Sequence, residues 1–367
     1  MTQAQQRLKK FKRDPTYASR RRNRQITDRA LTLIATIERY RVIPTSLVVK
    51  LAGGDPRNTS DHLHHLYHKG LVNRFCFFGR TGRPGEFNYF LDNTDALELL
   101  VTRTHADPDT LDFAAVRRNR QKWTPLLDPA TDEAHSLELS EAAPAAEDAS
   151  EGQRLFLKHE LMISRFHGML ELATRASGGQ VKLTAWFQGP ILHRYVEAPK
   201  IVLRSNDWHE QDGTEKIPHR PDALFTLQRR DNPEPLHFFY EADRKTTNTR
   251  RMIKKLRGHF HYIAKARRQQ EDYGILRIRA VLTETLDTRW AEALRTAAQH
   301  PVVSGPKPSA LFWFTASEFF TKRIPKPEGK RMRQVPYYLE HPDCIFRPLW
   351  FTPVDVAGAA PRSLLDS

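Results

Sequence analysis

Apolar positions recur at helical spacing from Ile26, through Leu31, Leu33, Ile34 and Ile37, and Thr27 or Asp28 supplies the start signal. A second short helix is predicted after Pro44, with Leu47, Val48 and Leu51 turned inward and the Gly53-Gly54 pair ending it. A third is predicted over "NTSDHLHHLYHKGL", where Asn58 or Thr59 can cap and Leu63, Leu66 and Leu71 face the interior. The period then changes: "VNRFCFFGRTGRPGEFNYFLD" reads as two aromatic-rich β segments around a glycine-rich connection that carries Arg80 and Arg83. Three helices followed by a β-hairpin is the order of a winged helix.

A second patterned region opens with "RLFLKHELMISRFHGMLELATRA". It predicts a long helix with Leu155, Met162, Ile163, Phe166, Met169, Leu170 and Ala173 on one side and Glu160, Ser164, His167 and Glu171 on the other. That polar stripe is either a solvent face or part of a site. Strand-like runs follow, "VKLTAWF", "KIVLRS", "RPDALFTL" and "LHFFYEAD", then the helix "NTRRMIKKLRGHFHYIAKARR" and the strand "LRIRAVLT", which together make an α/β core. Downstream, Trp313, Phe314 and Trp350 sit in dense apolar runs and read as core rather than as stacking platforms for bases. The predicted fold class is therefore α/β (α+β) with two domains: an N-terminal winged helix-turn-helix and a C-terminal mixed sheet flanked by helices.

Size and charge sharpen this division. The chain of 367 residues, 39% of them hydrophobic, is long enough for two cores. We expect a basic disordered arm at 1–25, the winged-helix domain at 26–110, an acidic linker at 111–152, the α/β domain at 153–355 and a disordered tail at 356–367. Residues 1–24 carry nine Lys or Arg against one acid, whereas 128–151 carry eight acids and no Lys or Arg. With a net charge of +15, a polyanionic partner is expected, and nucleic acid fits better than a membrane because no basic helix faces a continuous apolar stripe. No apolar run is long enough to span a bilayer and no signal-peptide core opens the chain, so a cytoplasmic, DNA-associated protein is expected. Cys76 and Cys344 stand far apart and read as buried apolar side chains. His64 and His68 are four apart but lack an accompanying carboxylate or thiolate, so zinc is not expected.

Two constellations carry candidate chemistry. A helix entering the major groove of double-stranded DNA offers the residues at its start, here Arg57, Asn58, Thr59, Ser60 and His62, while the hairpin tip lays Arg80 and Arg83 along the backbone. Many winged-helix proteins act as homodimers, and contact with other proteins is the alternative use of such a domain. The second constellation lies in the α/β region. If "PDALFTL" and "LHFFYEAD" pair as antiparallel neighbours, Asp222 comes level with Glu241, and Glu241 and Asp243 share a sheet face. Convergent carboxylates repel unless a cation lies between them, so a Mg2+ or Mn2+ site at Asp222 and Glu241 is expected. The following helix adds Arg250, Arg251, Lys254, Lys255 and Arg257 within a segment, 247–268, of eight cations and no acid, as nucleic-acid contacts.

These residues resemble the PD-(D/E)xK nuclease superfamily in their order: a helix with Glu160, then "PD" at 221–222, an acidic strand end and a basic helix. The winged helix together with "PDALF", "YEADR" and "HYIAKA" resembles, more narrowly, the replication-relaxation family of plasmid and mobile-element proteins, over residues 26–110 and about 155–285. The resemblance implies an Asp and a Glu that hold a divalent metal, a lysine that activates or orients water, and in-line cleavage of a phosphodiester. It assigns catalytic roles to Asp222 and Glu241, with Glu160 or Asp243 in support. Asp243 stands where the superfamily places its lysine, so the cation would come from Lys245, if the strand continues, or from Lys254 or Lys255 on the next helix. Two functions are thus in view: a DNA-binding protein that nicks, and a non-catalytic DNA-binding regulator or assembly factor with a degenerate nuclease fold.

Overall fold

The computed structural model describes residues 13, 17, 25–77, 85–123, 149–205, 207–245, 248–328, 331–355 and 360–366. They form two compact units that divide between Gly168 and Met169.

In the first unit, α1 (Asp28–Tyr40) is capped by Thr27, whose hydroxyl accepts the amide of Ala30, and buries Leu31, Leu33, Ile34 and Ile37. After β1 (Val42–Pro44) comes α2 (Thr45–Ala52), which stops at Gly53 and Gly54, both at positive φ. The third helix, α3 (Pro56–His68), starts earlier than expected: Asp55 caps it through the Asn58 amide at 2.8 Å, and Pro56 occupies a position that needs no amide donor. Arg29 locks the turn between α2 and α3, donating to the carbonyls of Ala52 and Gly53 and to the Thr59 hydroxyl. Then β2 (Asn73–Phe75) and β3 (Asn88–Phe90) pair antiparallel, and β1 joins on the other edge of β3 to give the order β1-β3-β2. The guanidinium of Arg74 lies between the rings of Tyr67 and Phe87, 4.1 Å from each centroid. Arg80 and Arg83 lie outside the described residues.

Two further helices, α4 (Asp95–Thr102) and α5 (Phe113–Lys122), complete the covering. The expected linker therefore begins later than 111: Asn119 donates to the Leu91 carbonyl, and Trp123 packs with Val42, Phe75, Phe90 and Leu157. The long helix α6 (Ala149–Ala176) buries Met162, Ile163, Phe166, Met169 and Leu170, but Leu155 is exposed and Leu157 takes the inward place. The opposite stripe of Glu160, Ser164, His167 and Glu171 is also buried, not a solvent face.

The second unit centres on one mixed sheet. Its strands are β4 (Val181–Gln188), β7 (Ala223–Arg229), β8 (Leu236–Asp243), β9 (Ala280–Thr285) and β10 (Phe312–Ala316), separated along the chain by the ribbon β5 (Arg194–Arg204) and β6 (Asp207–His219). The order is β10-β9-β8-β7-β4, antiparallel from β4 to β8 and parallel from β8 to β10. The parallel steps follow from crossovers: α7 (Thr249–Ala264) and α8 (Ala266–Tyr273) connect β8 to β9, while α9 (Thr288–Ala297) and α10 (Pro301–Ser304) connect β9 to β10. Strands covered on both faces read as continuous apolar runs, which is why "HFFY" in β8 and "FWF" in β10 show no alternation. Trp313, Phe314 and Trp350 are buried as core. Beyond β10, α11 (Glu318–Thr321), the ribbon β11 (Arg323–Glu328) and β12 (Arg331–Pro336), and α12 (Tyr337–Glu340) complete the chain's regular elements. The tail is not wholly irregular as expected: Arg362 bridges to Trp350, and Leu364 is buried.

Helix α7 crosses β6 at close range. A Cβ on Gly258 would meet the Pro218 carbonyl oxygen at 2.3 Å, so only glycine allows this approach.

Candidate functional site

The acidic site forms where the chain leaves β6 and enters β7. Ala223 pairs with Tyr240 in the antiparallel register, the Asp222 amide donates to the Tyr240 carbonyl at 3.0 Å, and Asp222 Oδ2 accepts the Ala242 amide at 2.8 Å. Asp222 therefore stands level with Glu241, as the strand pairing required. Glu241 and Asp243 point to the same face because side chains alternate along β8.

Helix α7 covers that face. Lys255 Nζ forms an ion pair with Glu241 Oε2, and His259 Nε2 lies 2.7 Å from Glu241 Oε1. Despite these neighbours, neither Glu241 oxygen receives a well-directed hydrogen bond among the described residues, although the side chain is only 2% exposed. Burial pushes the Glu241 carboxyl well above the usual range; Lys255 pulls it down, and Asp222 pushes it up again. For Lys255, burial opposes the charge, but Glu241, Asp222 and Asp243 outweigh it and hold the ammonium protonated.

Behind His259 lies a second buried imidazole. His259 Nδ1 and His219 Nδ1 are 3.0 Å apart, and the His219 ring stacks on Tyr262 at 3.9 Å. Burial, and then the Lys255 charge, push His259 down to about 3; burial, and then His259, push His219 well below its ordinary value. Both rings are therefore neutral. If His259 offers its Nε2 proton to Glu241, its Nδ1 accepts and His219 Nδ1 carries the proton between the rings.

Several expected participants are placed differently. The strand ends at Asp243, and Lys245 adopts φ +62°, which breaks the alternation that would have aimed it at the acids. Lys245 Nζ instead lies 3.8 Å from Asp287 and over the Trp290 ring. Asp243 accepts the Trp290 indole N–H and, at 3.1 Å, the Lys245 amide, so it closes the strand as well as adding charge near Lys255. Glu160 belongs to the first unit, buried, with His159 Nδ1 at 4.0 Å.

Arg257, expected among the cations facing nucleic acid, is buried. It donates to the Val302 carbonyl at 3.0 Å, to Glu215 at 2.9 Å and to the Pro199 carbonyl, and so ties α7 to the β5–β6 ribbon. Arg250, Arg251 and Lys254 are exposed. In α3, Arg57, Asn58 and Ser60 are exposed and His62 is half-buried, but Thr59 is buried and spends its hydroxyl on Arg29 and the Asp55 carbonyl.

Sequence reasoning named Lys255 only as one of several lysines and missed His259 and His219. The available signal was that Lys255 and His259, four apart, interrupt the buried stripe Met252, Leu256 and Tyr262 of α7. Polar groups in such a stripe need a buried partner, and Glu241 is it.

Asp222 and Glu241 offer hard oxygen donors of the kind a divalent ion takes while keeping most of its waters. Among the described residues there is no group of three or more His, Cys, Asp or Glu placed to hold a metal ion. No helix among them is long and apolar enough to cross a membrane. No curated protein and no solved structure is significantly similar to the chain. The replication-relaxation family model matches residues 34–278, well over half of the sequence; the chain belongs to that family, and membership suggests a role in plasmid or mobile-element replication.

Proposed function

We propose that this is a DNA-binding protein of plasmid or mobile-element replication or transfer that uses a winged helix to grip duplex DNA and a PD-(D/E)xK-like site to nick it. The observation that carries the reading is the meeting of Asp222 and Glu241 across an antiparallel strand pair, with the Lys255 ammonium against them. In the first unit, the α1–α2–α3 order with the β2–β3 hairpin supports the winged helix. The exposed Arg57, Asn58 and Ser60 at the start of α3 are the residues for a major groove.

In the catalytic reading Asp222 and Glu241 would hold Mg2+ or Mn2+. The ion would supply charge neutralisation at the phosphate and a more acidic water. Lys255, kept protonated by the surrounding acids, takes the place of the lysine that Asp243 displaces from the strand and stabilises negative charge on the phosphate oxygens. Asp222 is fixed by the Ala242 amide, so one ligand is set before any ion arrives.

One observation favours the alternative, a non-catalytic regulator with a degenerate nuclease fold: Lys255 already neutralises Glu241. Plasmid relaxation in magnesium or manganese separates the two. For the enzyme, wild type converts supercoiled plasmid to open circles, while Asp222→Ala and Glu241→Ala bind duplex normally and do not. Equal inactivity of all three, with duplex binding intact, establishes the regulator.

A further inference from the structure

The ribbon β5–β6 presents a second candidate site, outside the acidic one. Its strands alternate cleanly: Val196, Ala198, Ile217 and His219 face inward, and Tyr195, Glu197, Lys216 and Pro218 face out. Tyr195 pairs with Pro218, which puts Lys216 and Arg220 at the two positions diagonal to it. Their charges sit 5.3 Å and 5.4 Å from the Tyr195 ring centroid, and Arg220 donates to the Tyr195 hydroxyl. A third cation, Arg268 of α8, donates to the Tyr195 carbonyl at 2.8 Å. Glu197, opposite Lys216, is the acid on this face. Even with these contacts the Tyr195 side chain is 48% exposed, and Ile191, four residues before it, is 60% exposed. Lys216 and Arg220 lie over the ring, and about half of the side chain still stays in water.

We infer that the Tyr195 face binds unpaired DNA, with one base stacked on the ring and the flanking phosphates on Lys216, Arg220 and Arg268. A single strand presents π faces and negative charges in alternation, and an aromatic bracketed by cations matches that alternation. Duplex DNA offers the charges without the open base faces. Position agrees with this: Arg220, which donates to the Tyr195 hydroxyl, stands two residues before Asp222. The proposal rests on the nucleic-acid reading of the acidic site but names a different ligand, the single strand.

The test is fluorescence anisotropy on the full chain with a labelled oligothymidine and, separately, a duplex of equal length. Tyr195→Ala is expected to weaken single-strand binding about tenfold, since stacking on an aromatic contributes on the order of a factor of ten per base, and to leave duplex binding within about twofold. Tyr195→Phe, which keeps the ring and loses the hydroxyl, should bind single strands like wild type. A double variant, Lys216→Ser with Arg220→Ser, should weaken single-strand binding and flatten its salt dependence. Thermal unfolding of each variant within about two degrees of wild type establishes that the ribbon is intact, as expected for changes at exposed positions. Unchanged single-strand binding by Tyr195→Ala overturns the proposal, as does an equal loss on duplex, which means plain electrostatics. Phe as damaging as Ala overturns it too, because the hydroxyl's bond to Arg220 would then be what matters. Duplex binding without any single-strand binding sinks this inference alone; absence of both sinks the DNA reading as well.

Discussion

Two helices of this chain open alike, with polar residues in solvent, and then behave in opposite ways. Helix α3 holds Arg57, Asn58 and Ser60 at an exposed first turn. Helix α7 begins in the same manner, with Arg250, Arg251 and Lys254 outside, but then turns Lys255, Arg257 and His259 toward the interior. The difference lies in what each helix packs on. The inward side of α3 presents mainly Leu63, Leu66 and Tyr67, whereas behind α7 are Glu241 and Glu215, which bring the cations in. A run of positive charge thus says little about a partner until the acids of the same fold have been counted.

That contrast can be broken most strongly at Arg257. Arg257→Ala strands Glu215 and two backbone carbonyls, and chemical denaturation should show a loss of about 3 kcal/mol, while Lys254→Ala, at the exposed start of the same helix, should stay within about 0.5 kcal/mol. Similar losses at both positions would mean that the inside–outside division of α7 is wrong. Next is Gly258→Ala. The added methyl forces α7 off the Pro218 carbonyl, and a loss of about 2 kcal/mol is expected in chemical denaturation; an unchanged stability would mean that this close approach is not required.

The smallest effect is a pH slope in the first unit. His167 is buried beside Tyr40, at 4.4 Å between rings, and burial, then the Arg39 charge, hold its pKa well below the ordinary value. A folded pKa lower than the unfolded one means that the unfolded chain takes up a proton first as pH falls. Stability is therefore fully present above about pH 6.5 and drops below it by roughly 1.4 kcal/mol per pH unit for this one group. Denaturation at pH 7.5, 6.5 and 5.5 should show the slope in wild type and a shallower one in His167→Phe. Identical slopes would mean that other histidines account for it.

Local signals were legible. Thr27 caps α1, the glycine pair ends α2, and the apolar stripes of α1 and α3 point where their spacing says, because each is decided within a turn or two of chain. The Asp55-Pro56 start of α3 is also written in the sequence, three residues before Asn58, which the spacing offers as an equally good cap. The register of β7 on β8 could be counted from a short turn, so the Asp222–Glu241 level was readable too. What could not be read was which side chains from α7 would meet that pair. Lys254 and Lys255 are neighbours in sequence but point about 100° apart on a helix, and only the packing of α7 on β6, set by Gly258, decides between them. Lys245 was misjudged for a related reason. Its usefulness depended on the strand continuing, and the backbone leaves the extended region two residues after the strand's last position.

Strand β9, beside β8, carries a further buried carboxylate, Glu284, whose oxygens receive the Tyr240 hydroxyl at 2.7 Å and the Ser317 hydroxyl at 2.6 Å. Tyr240 and Glu241 are adjacent, yet the pleat sends one to each side of the sheet. The sheet acts as a bulkhead between two chambers: in one a carboxylate is held by hydroxyls, in the other Glu241 meets the Lys255 ammonium and the His259 ring. A substitution at Asp222 or Lys255 thus alters one chamber while the hydroxyl-held carboxylate of the other keeps the strands in line.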